Sequence, residues 1–424
     1  MDRSASPGQG NCSYAFLKRI TSVFIKVLSQ VYWPDDASTA QHLVDLCELL
    51  ARRGARVEVI TSRHKYEDNR VKYPRQETHN GVLIRRLNDF GLGKGTVIRR
   101  LLDFFSFNVL LFFRILFEAK PDMYLGMTSP PLVSFFGILV ARLRGVKFCY
   151  WTMDLQPELS IRSGLIQRNS LSARLLTSIA DSIFRRATKI IVLDKYMKTH
   201  VVQRGANESR VAEVPVWPVV GNRYHGHRLN NPFRVTHGFG DAFVVMYSGN
   251  HSYIHPLDTL LRAAVELKDC PSVLFAFIGG GIRAKDVTQY KNQYNLQSVV
   301  QLPYQPRESI HESLAAADVH VVIMGEDMVG YTHPNKIYGA MFVGKPIIYI
   351  GPTPSHVSDI LERVQGNCIC NHGEIEFLVQ EIHRFTSMSA SELDDIGKRN
   401  LEFAKSRFDP VKLKEQMASE VLNS

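Results

Sequence analysis

A histidine, an asparagine and a lysine stand close together at His333, Asn335 and Lys336, in the stretch HPNKIYGAMFVGKPIIYIGP. The stretch reads as a loop, a short helix opening at the lysine, a glycine stop and a buried strand. A lysine at a helix entrance, backed by free backbone N–H groups, is suited to holding an anion. Three other segments share that character. YSGNHSYIHPLDTLLRAA ends a strand at Tyr247, passes Gly249, Asn250, His251 and Ser252, and enters a helix near Pro256. FIGGGIRAKDV ends a strand at Gly279, Gly280 and Gly281, with Arg283 and Lys285 following. LPYQPRESI places Tyr304 and Gln305 before a helix capped by Pro306, where a flat base can lie against backbone groups. Glycine lets a ligand approach the main chain closely. Any one segment alone reads more readily as an ordinary turn or a solvated lysine. Four of them at strand ends of one alternating α/β region describe a pocket for a nucleoside diphosphate. The dinucleotide fingerprint GxGxxG is absent after the first strand, where YWPDDASTAQ stands, and the Walker pattern is absent too, which argues against a simple NAD enzyme or a P-loop enzyme.

The elements that must position these residues alternate between strand and helix, twice over. FIKVLSQVYW is a β-rich run, followed by STAQHLVDLCELLARRG, a helix that Ser38 or Thr39 can cap and Gly54 ends. ARVEVITS, GVLIRRL, DMYLGM, KFCYW and TKIIVLD are further strands with helical spacers between most of them. Residues 217–241 are rich in Pro, Gly, Asn, His and Arg and read as a linker or long connection. A second alternation follows, with strands AFVVMYSGN, SVLFAFIGG, VVQLP, DVHVVIM, KPIIYIG and NCIC. Asp409 and Pro410 open a last helix. The expected fold is α/β, two doubly wound Rossmann-like domains facing a cleft, with ligands at the carboxyl ends of the strands.

Size and composition agree. A chain of 424 residues, 45% hydrophobic and 22% charged, has core material for two or three domains. A net charge of +10 favours an anionic partner. The six cysteines form no CxxC pair, so a reduced, cytoplasmic setting is expected rather than a disulfide framework or a Cys/His metal site. Residues 1–20 are expected to be a flexible lead without the apolar core of a signal peptide. The uncharged run 123–141 approaches the roughly 20 residues of a spanning helix, but Pro130 and Pro131 split it into a strand, a turn and a helix.

From YSGNHS to KPIIYIGP, and above all in AAADVHVVIMGED…HPNKIYGAMFVGKP, the chain resembles the retaining glycosyltransferases of the GT4 type with the GT-B fold. YWTMDLQPELSIRSGL resembles the acceptor-side segment of the bacterial polysaccharide-assembly members. The resemblance implies an acceptor-binding domain over 21–216, a nucleotide-sugar-binding domain over 217–404 and a final helix over 405–424 returning to the first domain. Many relatives carry two glutamates eight positions apart in the donor signature. Here those positions hold Tyr331 and Gly339, while Glu326 and Asp327 are out of register. The ribose must then be held by another group, or the site is degenerate.

Lys336 is the expected stabiliser of the leaving diphosphate, with Asn250, His251 and Arg283 behind it, and Asp154 either orients the acceptor hydroxyl or caps the chain before Pro157. Gly249, Ser252, Gly279, Gly280, Gly281, Tyr304, Gln305, His333, Asn335 and Ile337 complete the expected donor site. No DxD sequence occurs, so no metal and no cofactor beyond the nucleotide sugar is expected. Residues 94–120, dense in Phe and Leu with Lys94, Arg99, Arg100 and Arg114 around them, form either a buried amphipathic helix or a helix on an anionic membrane surface. The second reading suits a lipid-linked saccharide acceptor and a location on the inner face of the cytoplasmic membrane. Nucleic acid is not an expected partner. Two competing functions are a GT-B-type epimerase of nucleotide sugars and a non-catalytic nucleotide-sugar binder.

Overall fold

The computed structural model describes residues 23–424 except 36, 66–67, 94–95, 131 and 219–227. The expected lead over 1–20, Cys12, Lys94, Pro131 and the middle of the 217–241 connection lie outside the described residues.

The first lobe is built on an eight-stranded sheet: β1 (Phe24–Leu28), β2 (Arg56–Ser62), β3 (Gln76–His79), β4 (Val82–Leu87), β5 (Met123–Gly126), β6 (Lys147–Trp151), β7 (Lys189–Val192) and β8 (Val211–Glu213). Their spatial order is β3-β4-β2-β1-β5-β6-β7-β8, and every neighbouring pair is parallel except β3 and β4. β1 is buried along its whole length, as a strand covered on both faces must be. Its one charged residue, Lys26, is 1% exposed and is neutralised by Glu118 at 2.7 Å, just beyond the Val97–Phe117 helix, and by Glu58 at 3.6 Å. That pairing ties the end of the Phe-rich helix to the sheet. β3 was not among the expected strands. Its signal is the Asn80-Gly81 pair, both at positive φ, which closes a two-residue hairpin to β4.

The second lobe carries six parallel strands: β9 (Phe243–Ser248), β10 (Val273–Ile278), β11 (Val299–Leu302), β12 (Val319–Ile323), β13 (Ile347–Ile350) and β14 (Cys368–Cys370). Their order, β11-β10-β9-β12-β13-β14, reverses direction between β9 and β12. In a doubly wound sheet the loops leaving those two strands part and open a crevice there.

Two local expectations change. The helix Ser38–Arg52 begins at Ser38 with Ala37 at its cap and no side-chain cap bond, so neither Ser38 nor Thr39 caps it. The described flank of the 217–241 connection is packed rather than loose. The Asn231 side chain caps the Pro232–Thr236 helix, and Arg234, 1% exposed, reaches Asp318 and the Ala316 carbonyl. The chain ends with the helices Ala390–Arg407 and Pro410–Leu422. The last one packs on the first lobe, burying Leu413, Met417 and Val421 in its core and pairing Lys414 with Asp45 and Glu420 with Lys189. Asp409 caps it through the Lys412 amide, with Pro410 in the first turn. The run 123–141 is strand β5 followed by the helix Val133–Arg144, and no helix among the described residues is long and apolar enough to cross a membrane.

Candidate active site

Lys336 opens the short helix Lys336–Phe342, downstream of β12, and Gly249 follows β9, so the two face each other across the crevice. A Cβ built on Gly249, at φ 136°, would lie 2.4 Å from Lys336 Cε. The lysine stem therefore runs over the bare glycine backbone, and its ammonium sits 5.3 Å from the centre of the Tyr247 ring. No carboxylate among the described residues pairs with it. Part of the side chain stays open, but the protein around the ammonium strips enough water to lower its pKa to about 8.

The remaining turns close on the same hollow. A Cβ on Gly279 would meet the Gly249 carbonyl oxygen at 2.1 Å, and one on Gly281 would meet the His251 carbonyl at 2.4 Å and Asn250 Oδ1 at 2.5 Å. These turns touch backbone to backbone, and glycine is the only residue that fits. The amides of Gly249, Gly279 and His251 donate to Ile278, Leu302 and Gly280. Among the described residues, the amides of Asn250, Ser252, Gly280, Gly281 and Ile282 in these turns donate to no main-chain carbonyl. Tyr304 lies against Gly280, with its hydroxyl donating to the Gly280 carbonyl at 3.0 Å, and Gln305 donates to the Pro303 carbonyl. His251 is fully buried and stacked on Tyr247, with both ring nitrogens unpartnered. Burial, then the Lys336 charge, lowers its pKa to about 4 and keeps it neutral. The buried Ser252 Oγ is also unpartnered.

Four expected donor residues have partners elsewhere. The Arg283 guanidinium is held by Asp286 at 2.6 Å and Asp258 at 2.9 Å, so two carboxylates already neutralise it. Ile337 is completely buried and belongs to the core. His333 faces the first lobe: its Nδ1 lies 2.8 Å from Asp194 and its Nε2 2.7 Å from the Tyr338 hydroxyl, which is 2.8 Å from His356 Nε2. One proton arrangement satisfies the whole chain. His333 Nδ1–H donates to Asp194, Tyr338 O–H donates to His333 Nε2, and His356 Nε2–H donates to the tyrosine oxygen. Burial pushes the Asp194 carboxyl up, but the hydrogen bond from His333, with that of the Met197 amide, outweighs it and leaves the pKa below the ordinary value. Asp194, His333 and His356 also form a group whose spacing can hold a metal ion, although the atoms concerned are engaged in these hydrogen bonds. Asn335 points to the first lobe too, donating to Ser38 Oγ at 3.1 Å.

The segment before Lys336 is a strap between the lobes. Tyr331, at the first glutamate position of the family signature, is stacked on His200 at 4.2 Å with Arg162 over it at 4.3 Å. Its carbonyl accepts from the Leu155 amide at 2.8 Å. Thr332 Oγ1 donates to Asp154 Oδ1 at 2.8 Å, which brings Asp154 to the lobe boundary directly beside the Lys336 segment. Burial raises the Asp154 pKa, with Thr332 and His333 pulling the other way. Tyr331, Thr332 and Tyr247 were not foreseen as site residues. A tyrosine at a strand end or in a loop has no pattern that marks it, and its role here comes from partners far away in the chain.

Residues 39–217 match a family model described as a glycosyl transferase 4-like domain, and residues 242–387 match one described as glycosyl transferases group 1. WcaI of Escherichia coli (strain K12), assigned to colanic acid biosynthesis as a glycosyl transferase, is 23% identical over 371 residues, covering 83% of this chain and 89% of its own. WbjE of Pseudomonas aeruginosa, assigned as a glycosyltransferase, is 22% identical over 70% of this chain and 74% of its own. Among solved structures, Anabaena Alr3699/HepE in complex with UDP-glucose superposes with a TM-score of 0.70 at 16% identity, covering 95% of this chain and all of that one. WaaG, a glycosyltransferase involved in lipopolysaccharide biosynthesis, gives 0.67 at 14%, over 94% of this chain and 99% of that one. With two family models over most of its length, and a lysine, two glycine turns and a lobe-spanning strap around one crevice, the chain belongs to the GT4-type glycosyltransferases of the GT-B fold.

Proposed function

We propose that this protein is a retaining, metal-independent glycosyltransferase that moves a hexosyl or hexosaminyl group from a nucleoside diphosphate to a lipid-linked saccharide, in the assembly of a cell-surface polysaccharide. The observation that carries the reading is the Lys336 ammonium, without a carboxylate partner among the described residues, laid over Gly249 at the crevice between β9 and β12. Breaking the bond between sugar and diphosphate builds negative charge on the leaving phosphate and positive charge on the ring. A fixed cation and the free amides of Asn250, Gly280 and Gly281 meet that charge without reorganising, and removing one such donor typically costs on the order of 10²–10³ in rate. In a retaining transfer the acceptor attacks from the face the phosphate leaves, and the departing phosphate can take the acceptor proton. Asp154 then needs only to orient the acceptor hydroxyl, and its place beside Thr332 suits that task. The ribose, without the usual glutamate at Gly339, is left to neighbouring groups of the crevice.

UDP is the nucleotide of choice because Alr3699/HepE was solved with UDP and with UDP-glucose. Polysaccharide assembly follows from the assignments of WcaI and WaaG. Support for the membrane reading comes from the helix Val97–Phe117, which is apolar on two faces. Phe107, Leu111 and Ile115 are buried in the core, while Leu101, Phe105, Phe113 and Phe117 are 60%, 65%, 54% and 79% exposed. The exposed Arg99 and Arg100 flank that outer face, which suits insertion between anionic headgroups.

Incubation with a panel of nucleotide sugars and lipid-linked saccharides tests the reading. Nucleotide release that requires the acceptor, continues in a chelator and gives a product with the donor's anomeric configuration supports it. Interconversion of the sugar without acceptor makes the protein an epimerase, and tight binding without turnover makes it a binder. Co-sedimentation with phosphatidylglycerol vesicles, lost in the pair Phe105→Glu and Phe113→Glu, tests the surface.

A further inference from the structure

Residues 329–335 leave the second-lobe sheet and lie against the first lobe, and Lys336 follows them directly. The approach is close because Gly330 has no side chain. At its φ of 74°, a Cβ would meet His200 Cδ2 at 2.4 Å and the Tyr196 carbonyl carbon at 2.9 Å. That contact seats the backbone on the helix Lys195–Gln203, where His200 Nε2 lies 3.2 Å from the Val329 carbonyl oxygen. The next residue, Tyr331, is gripped by two first-lobe side chains. The His200 ring stacks on it with centroids 4.2 Å apart, and the Arg162 guanidinium lies 4.3 Å from the ring centre. Arg162 also donates to the Tyr331 hydroxyl at 3.2 Å, and the Leu155 amide donates to the Tyr331 carbonyl at 2.8 Å. Burial lowers the His200 pKa, so the imidazole packs uncharged beside Arg162.

Three features tie this grip to Lys336. Only Thr332, His333, Pro334 and Asn335 separate Tyr331 from the lysine, and the proline ring fixes one of the intervening φ angles. No carboxylate among the described residues holds the ammonium, so its place over Gly249 depends on where its backbone is set. The family signature puts a glutamate at position 331. A carboxylate has no ring to stack, whereas a tyrosine reaches His200 and Arg162 together and commits the position to the first lobe. A lysine already set in place loses little freedom when a ligand binds. One carried on a loosened strap must be ordered at that moment, and binding is weaker for it.

We propose that Tyr331 is a positioning residue: its hold on His200 and Arg162 fixes the strap and so sets the Lys336 ammonium over Gly249 before the nucleotide arrives. The inference rests on the reading of Lys336 as the diphosphate ligand and assigns its geometry to a residue that does not touch the donor. A double-mutant cycle on UDP affinity, measured by isothermal titration calorimetry with the full chain, tests it. Tyr331→Ala should weaken UDP binding about threefold to tenfold, the effect of ordering one freed side chain. In a Lys336→Met background the same substitution should change affinity by less than about twofold, because no ammonium is left to position. His200→Ala should act as Tyr331→Ala does, and Tyr331→Phe, which keeps the ring, should stay within about twofold of wild type. A Tyr331→Ala protein with wild-type affinity for UDP, or one whose loss is the same with and without Lys336, overturns the proposal. Thermal melts show which variants are folded; should Tyr331→Ala not fold, His200→Ala decides. If UDP fails to bind the wild-type chain, or binds Lys336→Met equally well, the donor-site reading falls, and hydrogen exchange of the free protein still decides the role of Tyr331. Amides of residues 336–343 should then exchange about threefold or more faster in Tyr331→Ala and His200→Ala than in wild type and Tyr331→Phe, and unchanged exchange overturns the proposal.

Discussion

If Lys336 grips the diphosphate as a cation, the affinity for UDP must follow its charge. Burial lowers its pKa to about 8 in the free protein. About nine-tenths of the molecules then carry the charge at pH 7 and about one-tenth at pH 9. A diphosphate within contact distance favours the charged form, so the complex titrates at a higher pH than the free protein. Binding is therefore at full strength below pH 8 and weakens as pH rises through that value, by about tenfold between pH 7 and 9. Lys336→Met removes a hydrogen bond to a charged group, worth about 1.5–3 kcal/mol, and should raise the dissociation constant about 10- to 150-fold at pH 7. The variant should also lose the step near pH 8, and comparison with it cancels the nucleotide's own ionisation. Lys336→Arg keeps its charge throughout the range and should be flat between pH 7 and 9 after the same correction. Isothermal titration calorimetry across that range measures all three. A Lys336→Met protein that binds UDP within threefold of wild type, or that keeps the pH step, refutes the assignment.

Three further outcomes follow from the geometry. Gly249→Ala places a methyl group 2.4 Å from Lys336 Cε, at a backbone φ of 136° that alanine avoids, so it should cost roughly 1–3 kcal/mol of stability in urea unfolding and weaken UDP binding as well. Asp154→Asn should leave UDP affinity unchanged while lowering turnover with acceptor by about 10²-fold; equal loss of both would return the residue to a structural role. His333→Ala takes one donor from the buried Asp194, which keeps the Met197 amide, and should lower stability by about 1–3 kcal/mol. Because Asp194 has a lowered folded pKa, the part of this loss linked to its charge is complete above its unfolded value near 4 and disappears as pH falls through the lower folded value, which thermal melts from pH 7 down to 3 would follow.

The paired alternation of strands and helices was legible because its signals are local. Runs such as TKIIVLD and DVHVVIM are apolar strands bounded by turn residues, and Asp409 with Pro410 marks a helix start by their own chemistry. The glycines at 249, 279 and 281 were legible as close-approach points for a related reason, since only glycine adopts their backbone angles without strain. His333 and Arg283 are the opposite case. Sequence spacing put them beside Lys336 and the glycine turn, but Asp194, Asp258 and Asp286 engage them, and two of those carboxylates come from other elements. The helix Val97–Phe117 was read as either buried or membrane-facing, and the structure gives it one face for the core and another for the surface, a division its uniform Phe and Leu content conceals.

What the sequence determined by itself is the alternation of elements and the presence of glycine turns and a lysine at strand ends in the second half of the chain. What only the tertiary structure decided is which side chains keep their charge for a ligand and which spend it on a neighbour. It also decided that Asp154 and Thr332, 178 positions apart, meet at the lobe boundary. Backbone preference and hydrophobic period act over a few residues and leave a trace in the chain. Pairing of charges and donors depends on distances of about 3 Å between groups far apart in sequence, and folding alone sets those distances.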